Sequence, residues 1–156
     1  NIKAQLEAGV SGIILGGTLG EASTLTYDEK KVLMKETVQL VEGKVPVIIN
    51  IAEQTTKDAK HAAEVAEECG ATGLMMLPPM RYKANDYETV TYFKETANST
   101  KLPIMIYNNP VDYGIMVTLE MLEELRISLF AQQLGTKYPI SLKRIANKLQ
   151  EITMNS

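Results

Sequence analysis

Four short apolar runs punctuate the chain: GIIL at 12–15, PVIINI at 46–51, GLMML at 73–77 and PIMIY at 103–107. None alternates apolar with polar side chains, which predicts strands buried on both faces, as in a parallel sheet. The runs begin at residues 12, 46, 73 and 103, and a period of about 30 residues is the length of one strand-plus-helix unit. Between the runs the pattern changes to helical spacing. Thr26-Tyr-Asp-Glu29 is a capping box that opens a helix to about Glu42, with Val32, Leu33, Val38 and Val41 as candidate core positions and Gly43 as the stop. Thr55–Cys69 carries Ala59, Ala62, Ala63, Val65, Ala66 and Cys69 on one stripe, closed by Gly70. Asn85-Asp-Tyr-Glu88 starts a helix to about Ala97, Thr118 caps one through Leu125, and Ile2–Ala8 has the pattern of a helix end.

Strands that alternate with helices imply a parallel sheet with right-handed crossovers. Two architectures satisfy this, an open doubly wound sheet and a closed eight-fold barrel. In both, chemistry sits on the loops after the carboxyl ends of the strands. Those loops are GGTLGEAST (16–24), AEQTT (52–56), PPMRYKA (78–84) and NNPVDYG (108–114), rich in polar side chains, glycine and proline. The reverse loops, such as Glu42-Gly-Lys-Val-Pro46, are short and plain.

Composition narrows the chemistry. The 156 residues carry 16 basic and 19 acidic side chains, a net charge of −3, and a pI of about 5.3. A phosphate backbone or an anionic membrane needs a basic face, so neither nucleic acid nor membrane is expected as a partner. No apolar run approaches the length of a bilayer span, and no signal-peptide pattern is present, although the chain opens on Asn1 rather than Met, which leaves room for a leader upstream. The single cysteine, Cys69, forbids an internal disulfide, and with one histidine, His61, a multi-histidine zinc site is not expected. A reduced, cytoplasmic setting follows as the default.

Gly16-Gly-Thr-Leu-Gly-Glu21 follows a strand. Glycines let backbone approach a ligand, and successive N–H groups can cradle a carboxylate or a phosphate. The same segment also serves as a plain strand-to-helix turn, and it matches neither a P-loop nor a dinucleotide fingerprint. Tyr107 ends a strand and precedes Asn108-Asn-Pro110; it can relay protons if a neighbour such as Thr18 orients its hydroxyl, or it can pack its ring at the rim. His61 reads as a solvated helix residue, Cys69 as packing, and Met75, Met76 and Met105 as core filler. Glu120–Glu124 reads as a solvated helix face, and Lys137 as solvent-facing, without the desolvation that imine chemistry needs.

The pair GGTLGE and YNNP, about 90 residues apart across this rhythm, resembles the dihydrodipicolinate synthase / N-acetylneuraminate lyase family of class I aldolases. The likeness runs from about Ile2 to Leu125, through GTLGE (17–21), TLTYDEK (24–30), VPVIINI (45–51), LPP (77–79) and LPIMIYNNPVDYG (102–114). The resemblance implies a (β/α)8 TIM barrel, of which this chain holds about four units, and a homo-oligomer. It implies a pyruvate-like 2-oxo acid bound as an imine on a lysine, with no metal or organic cofactor, because a protonated imine is itself an electron sink. Gly17, Thr18 and the backbone of Leu19 would bind the carboxylate, and Thr18 would pass protons to the catalytic Tyr107.

The chain also departs from that family. Leu19 replaces a second threonine, Asp112 stands where synthases carry an arginine for the second substrate, and Met80-Arg81 replaces a tyrosine pair. These substitutions favour an aldolase or dehydratase acting on another 2-oxo acid. Residues 1–125 are expected to form the partial barrel. Residues 126–156 (RISLFAQQLGTKYPISLK and beyond) form a divergent tail, frameshifted or truncated, with no strand carrying the imine lysine. The expected state is an incomplete and inactive copy. A non-catalytic fragment that still binds a keto acid or partner is one alternative, and a phosphate-binding barrel is the other.

Overall fold

The computed structural model describes residues 1–17, 22–79 and 82–133. The order is α1 (Ile2–Glu7), β1 (Ile13–Leu15), α2 (Tyr27–Val41), β2 (Val47–Ile51), α3 (Thr56–Glu68), β3 (Gly73–Met76), α4 (Asp86–Ala97), β4 (Ile104–Ile106), α5 (Pro110–Tyr113) and α6 (Leu119–Gln133). The four strands pair in parallel in the order β1-β2-β3-β4. All four strands fall on the predicted apolar runs. The helix starts follow from local chemistry. Thr26 and Asn85 each form a complete capping box, with Glu29 and Glu88 reaching back to the cap N–H, and Thr55 caps α3 by accepting from the Asp58 N–H. The last helix passes the expected end at Leu125 and continues to Gln133, because Arg126-Ile-Ser-Leu129 contains no breaker. The short α5 was not expected.

One face of the sheet carries the core. Ile13, Val47, Ile49, Ile51, Leu74 and Met76 point to the helices and are buried against Met34, Val41, Ala59, Ala63, Ala66 and Phe93. On α2 the buried face is Met34, Thr37 and Val41, at i, i+3 and i+7. Val32, a predicted core position, is 61% exposed instead. Val41 is buried as predicted and Val38 packs against the core, with Met34 and Thr37 filling the same face; Val32 alone falls on the opposite side of the helix.

The other face is uncovered among the described residues. The pairing aligns Ile14 with Ile48 and Gly73, and Asn50 with Met75 and Met105. Ile14 is 49% exposed and Met105 46%. Burial on both faces, expected from the unbroken apolar runs, therefore holds for one face only. Met76 is core as anticipated, and Met105 is not. His61 is exposed, its ring 5.4 Å from that of Tyr27, while Cys69 is buried and unpaired. The divergent tail lies outside the described residues from position 134 onward, Lys137 included.

Candidate functional site

A parallel sheet brings every strand's carboxyl end to one edge. Here that edge gathers Gly16 and Gly17 after β1, Glu53 and Gln54 after β2, Leu77 after β3 and Tyr107 after β4. The glycine turn and the strand-tip phenol thus share one rim of the molecule, on its first and last strands. Thr18 and Leu19, the predicted carboxylate binders beside Gly17, lie outside the described residues.

Gly16 adopts φ +70°, a backbone state open to glycine and strained for other residues. That conformation turns the chain at the end of β1. Its carbonyl accepts a hydrogen bond from Asn50 Nδ2 at 2.7 Å, which ties the turn to β2. Tyr107 extends the ladder by one step, its N–H donating to the Met76 carbonyl at 2.8 Å. Two residues beyond Met105, it falls on the uncovered face by alternation. It is 41% exposed, and its ring meets Tyr113 edge-on at 6.3 Å. The loop that follows is closed by Asn108, whose amide bonds both ways to Val117, donating to the carbonyl at 2.9 Å and accepting from the N–H at 3.0 Å. The first asparagine of YNNP is therefore a staple that holds the strand tip.

Beside the turn lies a cavity of about 590 Å³, lined by Ser23, Lys30, Asn50, Glu53, Gln54 and Tyr113 among others. Lys30 Nζ pairs with Glu53 Oε1 at 3.2 Å and sits 5.7 Å from the Tyr27 ring centroid. Tyr27 is pushed up to about 12, first by burial and then by the Glu53 and Asp58 carboxylates. Tyr92 donates to the Glu53 carbonyl and is also raised, by burial and then by Glu53. An ammonium held by a carboxylate is a poor nucleophile. No strand residue among those described is a lysine, and no cluster of three metal-ligating side chains occurs among them.

A sequence model of the dihydrodipicolinate synthetase family matches residues 1–154. The chain belongs to that family. The family match continues past Leu125 through the tail. A 4-hydroxy-tetrahydrodipicolinate synthase from Alkaliphilus oremlandii is 36% identical over 119 residues, covering 76% of this chain and 41% of the relative. One from Thermotoga neapolitana is 34% identical over 119 residues, covering 76% and 40%. A solved monomeric dihydrodipicolinate synthase variant superposes with a TM-score of 0.76 at 31% identity, over 82% of this chain and 43% of that one. A prophage protein of the family from E. coli K12, solved in complex with pyruvate, gives 0.75 at 29%, over 80% and 43%. The chain spans about two fifths of the length of the curated relatives it matches. Its four strands are accordingly an incomplete version of the dihydrodipicolinate synthetase barrel, and the open-sheet alternative is set aside.

Reading the sequence singled out Gly17 and Tyr107 and missed Asn50, Lys30 and Glu53. Asn50 had a visible signal, being the lone polar residue inside the run PVIINI. Lys30 and Glu53 had none, since a helix lysine and a loop glutamate 23 positions apart meet only once α2 packs on β2.

Proposed function

We propose that this chain is the keto-acid-binding part of a Schiff-base lyase of the pyruvate-using class, and that it binds a 2-oxo acid without turning it over. The observation that carries the reading is family membership together with the glycine turn and Tyr107 on one rim of the sheet. In it, Gly17, Thr18 and the backbone of Leu19 meet the carboxylate, and the Tyr107 hydroxyl, with Thr18, faces the keto oxygen, where in a complete lyase it would pass protons during imine formation. The family structure solved with pyruvate supports the choice of ligand. Asp112, in place of an arginine, and Met80-Arg81, in place of a tyrosine pair, favour a second substrate other than that of the synthases. Among the described residues β1 and β4 have no further strand beside them, which supports self-association, and the buried, unpaired Cys69 suits a reducing cytoplasm.

Trapping with borohydride in the presence of pyruvate tests the reading. Reversible binding of pyruvate with no covalent mass increase is the expected result. The family match through residue 154 favours a second reading, in which a lysine of the tail, Lys137 among them, forms the imine. A stable mass increase mapped to that segment would establish it. Preference for phosphate over pyruvate would replace both with an anion-binding barrel.

A further inference from the structure

The last strand is less covered than its neighbour. Ile104 and Ile106 of β4 pair with Leu74 and Met76 of β3, so they face the helix side of the sheet with them. Leu74 and Met76 are buried, whereas Ile104 and Ile106 are only half-buried. The cause is the seat of α6, which packs chiefly on α4. A groove of about 610 Å³ remains between α4, α6 and β4, lined by Phe93, Ile104, Ile106, Leu125 and Leu129 among others. Lys101, just before β4, is the one charged side chain in its lining among the described residues.

The chain leaves the described residues beside this groove. α6 begins near the rim, where Asn108 bonds to Val117, and runs back toward the amino ends of the strands. Leu129 lines the groove, and Gln133, the end of α6, lies one helical turn further on, roughly 6 Å along the axis. Residues 134–156 follow.

Their sequence suits the groove in pattern, length and charge. Leu142, Ile145, Ala146, Leu149 and Ile152 recur at helical spacing and fall within one arc of about 120°, the width of an apolar helix face. Lys143, Arg144, Lys148 and Glu151 fall outside that arc, and Ser141 stands at the cap position. As a helix, Leu142 to Ile152 is about 15 Å long, close to the roughly 13 Å of strand from Leu102 to Ile106. Residues 134–140 span up to about 23 Å when extended, enough to turn the chain back. Lys137, Lys143, Arg144 and Lys148 against Glu151 give residues 134–156 a charge of +3, which leaves −6 on residues 1–133, and opposite charges steer the two together. Tethering favours the tail over a second molecule, because a short linker holds it at an effective concentration in the millimolar range.

We propose that residues 141–152 form an amphipathic helix seated in the groove between α4, α6 and β4, so that the chain's own tail caps the open flank of its last strand. The apolar arc meets the lining, and the basic side chains face water. This cap stands apart from the keto-acid reading and holds whether or not the chain binds pyruvate.

Hydrogen exchange of the full 156-residue chain, followed by mass spectrometry at several protein concentrations, tests it. Amides of 141–152 should exchange at least tenfold more slowly than in a free peptide, equally at every concentration. The double variant Ile145→Asp/Leu149→Asp should lose that protection and speed exchange across 102–106, leaving β1 and β2 unchanged. Leu129→Asp, made from the groove side, should release the tail in the same way; if that variant fails to fold, the double variant, confined to the tail, decides. Lys143→Ala, on the polar side, should change neither segment. Free-peptide exchange of 141–152 in the wild type would overturn the proposal. So would protection that grows with concentration, since a second copy would then fill the groove, or a double variant that leaves 102–106 unchanged, since the tail would then dock elsewhere.

Discussion

Among the described residues, three threonines are buried inside helices, and their hydroxyls are treated differently. Thr89 Oγ1 donates to the Asn85 carbonyl and Thr96 Oγ1 to the Tyr92 carbonyl, both at 2.9 Å, one helical turn back. Thr37 is 1% exposed and its hydroxyl has no partner. Valine has nearly the same shape and the same helix propensity as threonine, so Thr→Val at each site isolates the hydroxyl. At Thr96 the substitution deletes a hydrogen bond worth about 0.5–1.5 kcal/mol net, leaving a carbonyl that still has its helical bond. At Thr37 it deletes an unpaired buried polar group, which costs about 1–3 kcal/mol to desolvate. The two variants should therefore move in opposite directions: Thr96→Val destabilised by up to ~1 kcal/mol, Thr37→Val stabilised by ~1 kcal/mol. For a chain of this size the latter is a rise in Tm of roughly 2–4 °C. Urea titrations at low protein concentration, followed by circular dichroism, would measure both. If Thr37→Val loses as much stability as Thr96→Val, the Thr37 hydroxyl has a partner in solution and the reasoning is wrong.

Two further outcomes follow from charges and edges. Glu67 accepts from the Thr100 hydroxyl at 2.6 Å and the Lys101 N–H at 2.9 Å, and these bonds hold its carboxyl below its ordinary 4.5. A lowered folded-state value stabilises the fold above the ordinary glutamate range and is lost as pH falls through the folded value. Glu67→Gln should flatten the acid limb of the urea midpoint measured from about pH 6 to about pH 3; an unchanged limb would show that Glu67 is not held. Sedimentation velocity over a range of concentrations should show association, which Met105→Lys on the uncovered face weakens. A single monomeric species throughout would contradict the role given to the open edges and that face.

Much of the fold was legible because each unit signals locally. The apolar runs place β1 to β4 within a residue or two, and Thr26, Thr55 and Asn85 place three helix starts, since caps are chemistry between residues three apart. Burial was less legible. Val32 and Met105 are apolar and exposed, because which face of an element finds cover depends on its neighbours in space, and a hydropathy pattern does not contain them. The site divides in the same way. The placement of Gly17 and Tyr107 after strand ends was legible from residue type and the apolar runs before them. Asn50 to Gly16 and Lys30 to Glu53 join residues 34 and 23 apart in the chain, and only the register of β1 on β2 and the seat of α2 bring them together.

The strand order β1-β2-β3-β4 has a consequence for how the chain forms. Every sheet neighbour is also the next strand in sequence, so no strand waits for a distant segment and none is threaded between two others. Every pairing therefore closes over a single strand-plus-helix unit, the shortest loop a parallel pair allows.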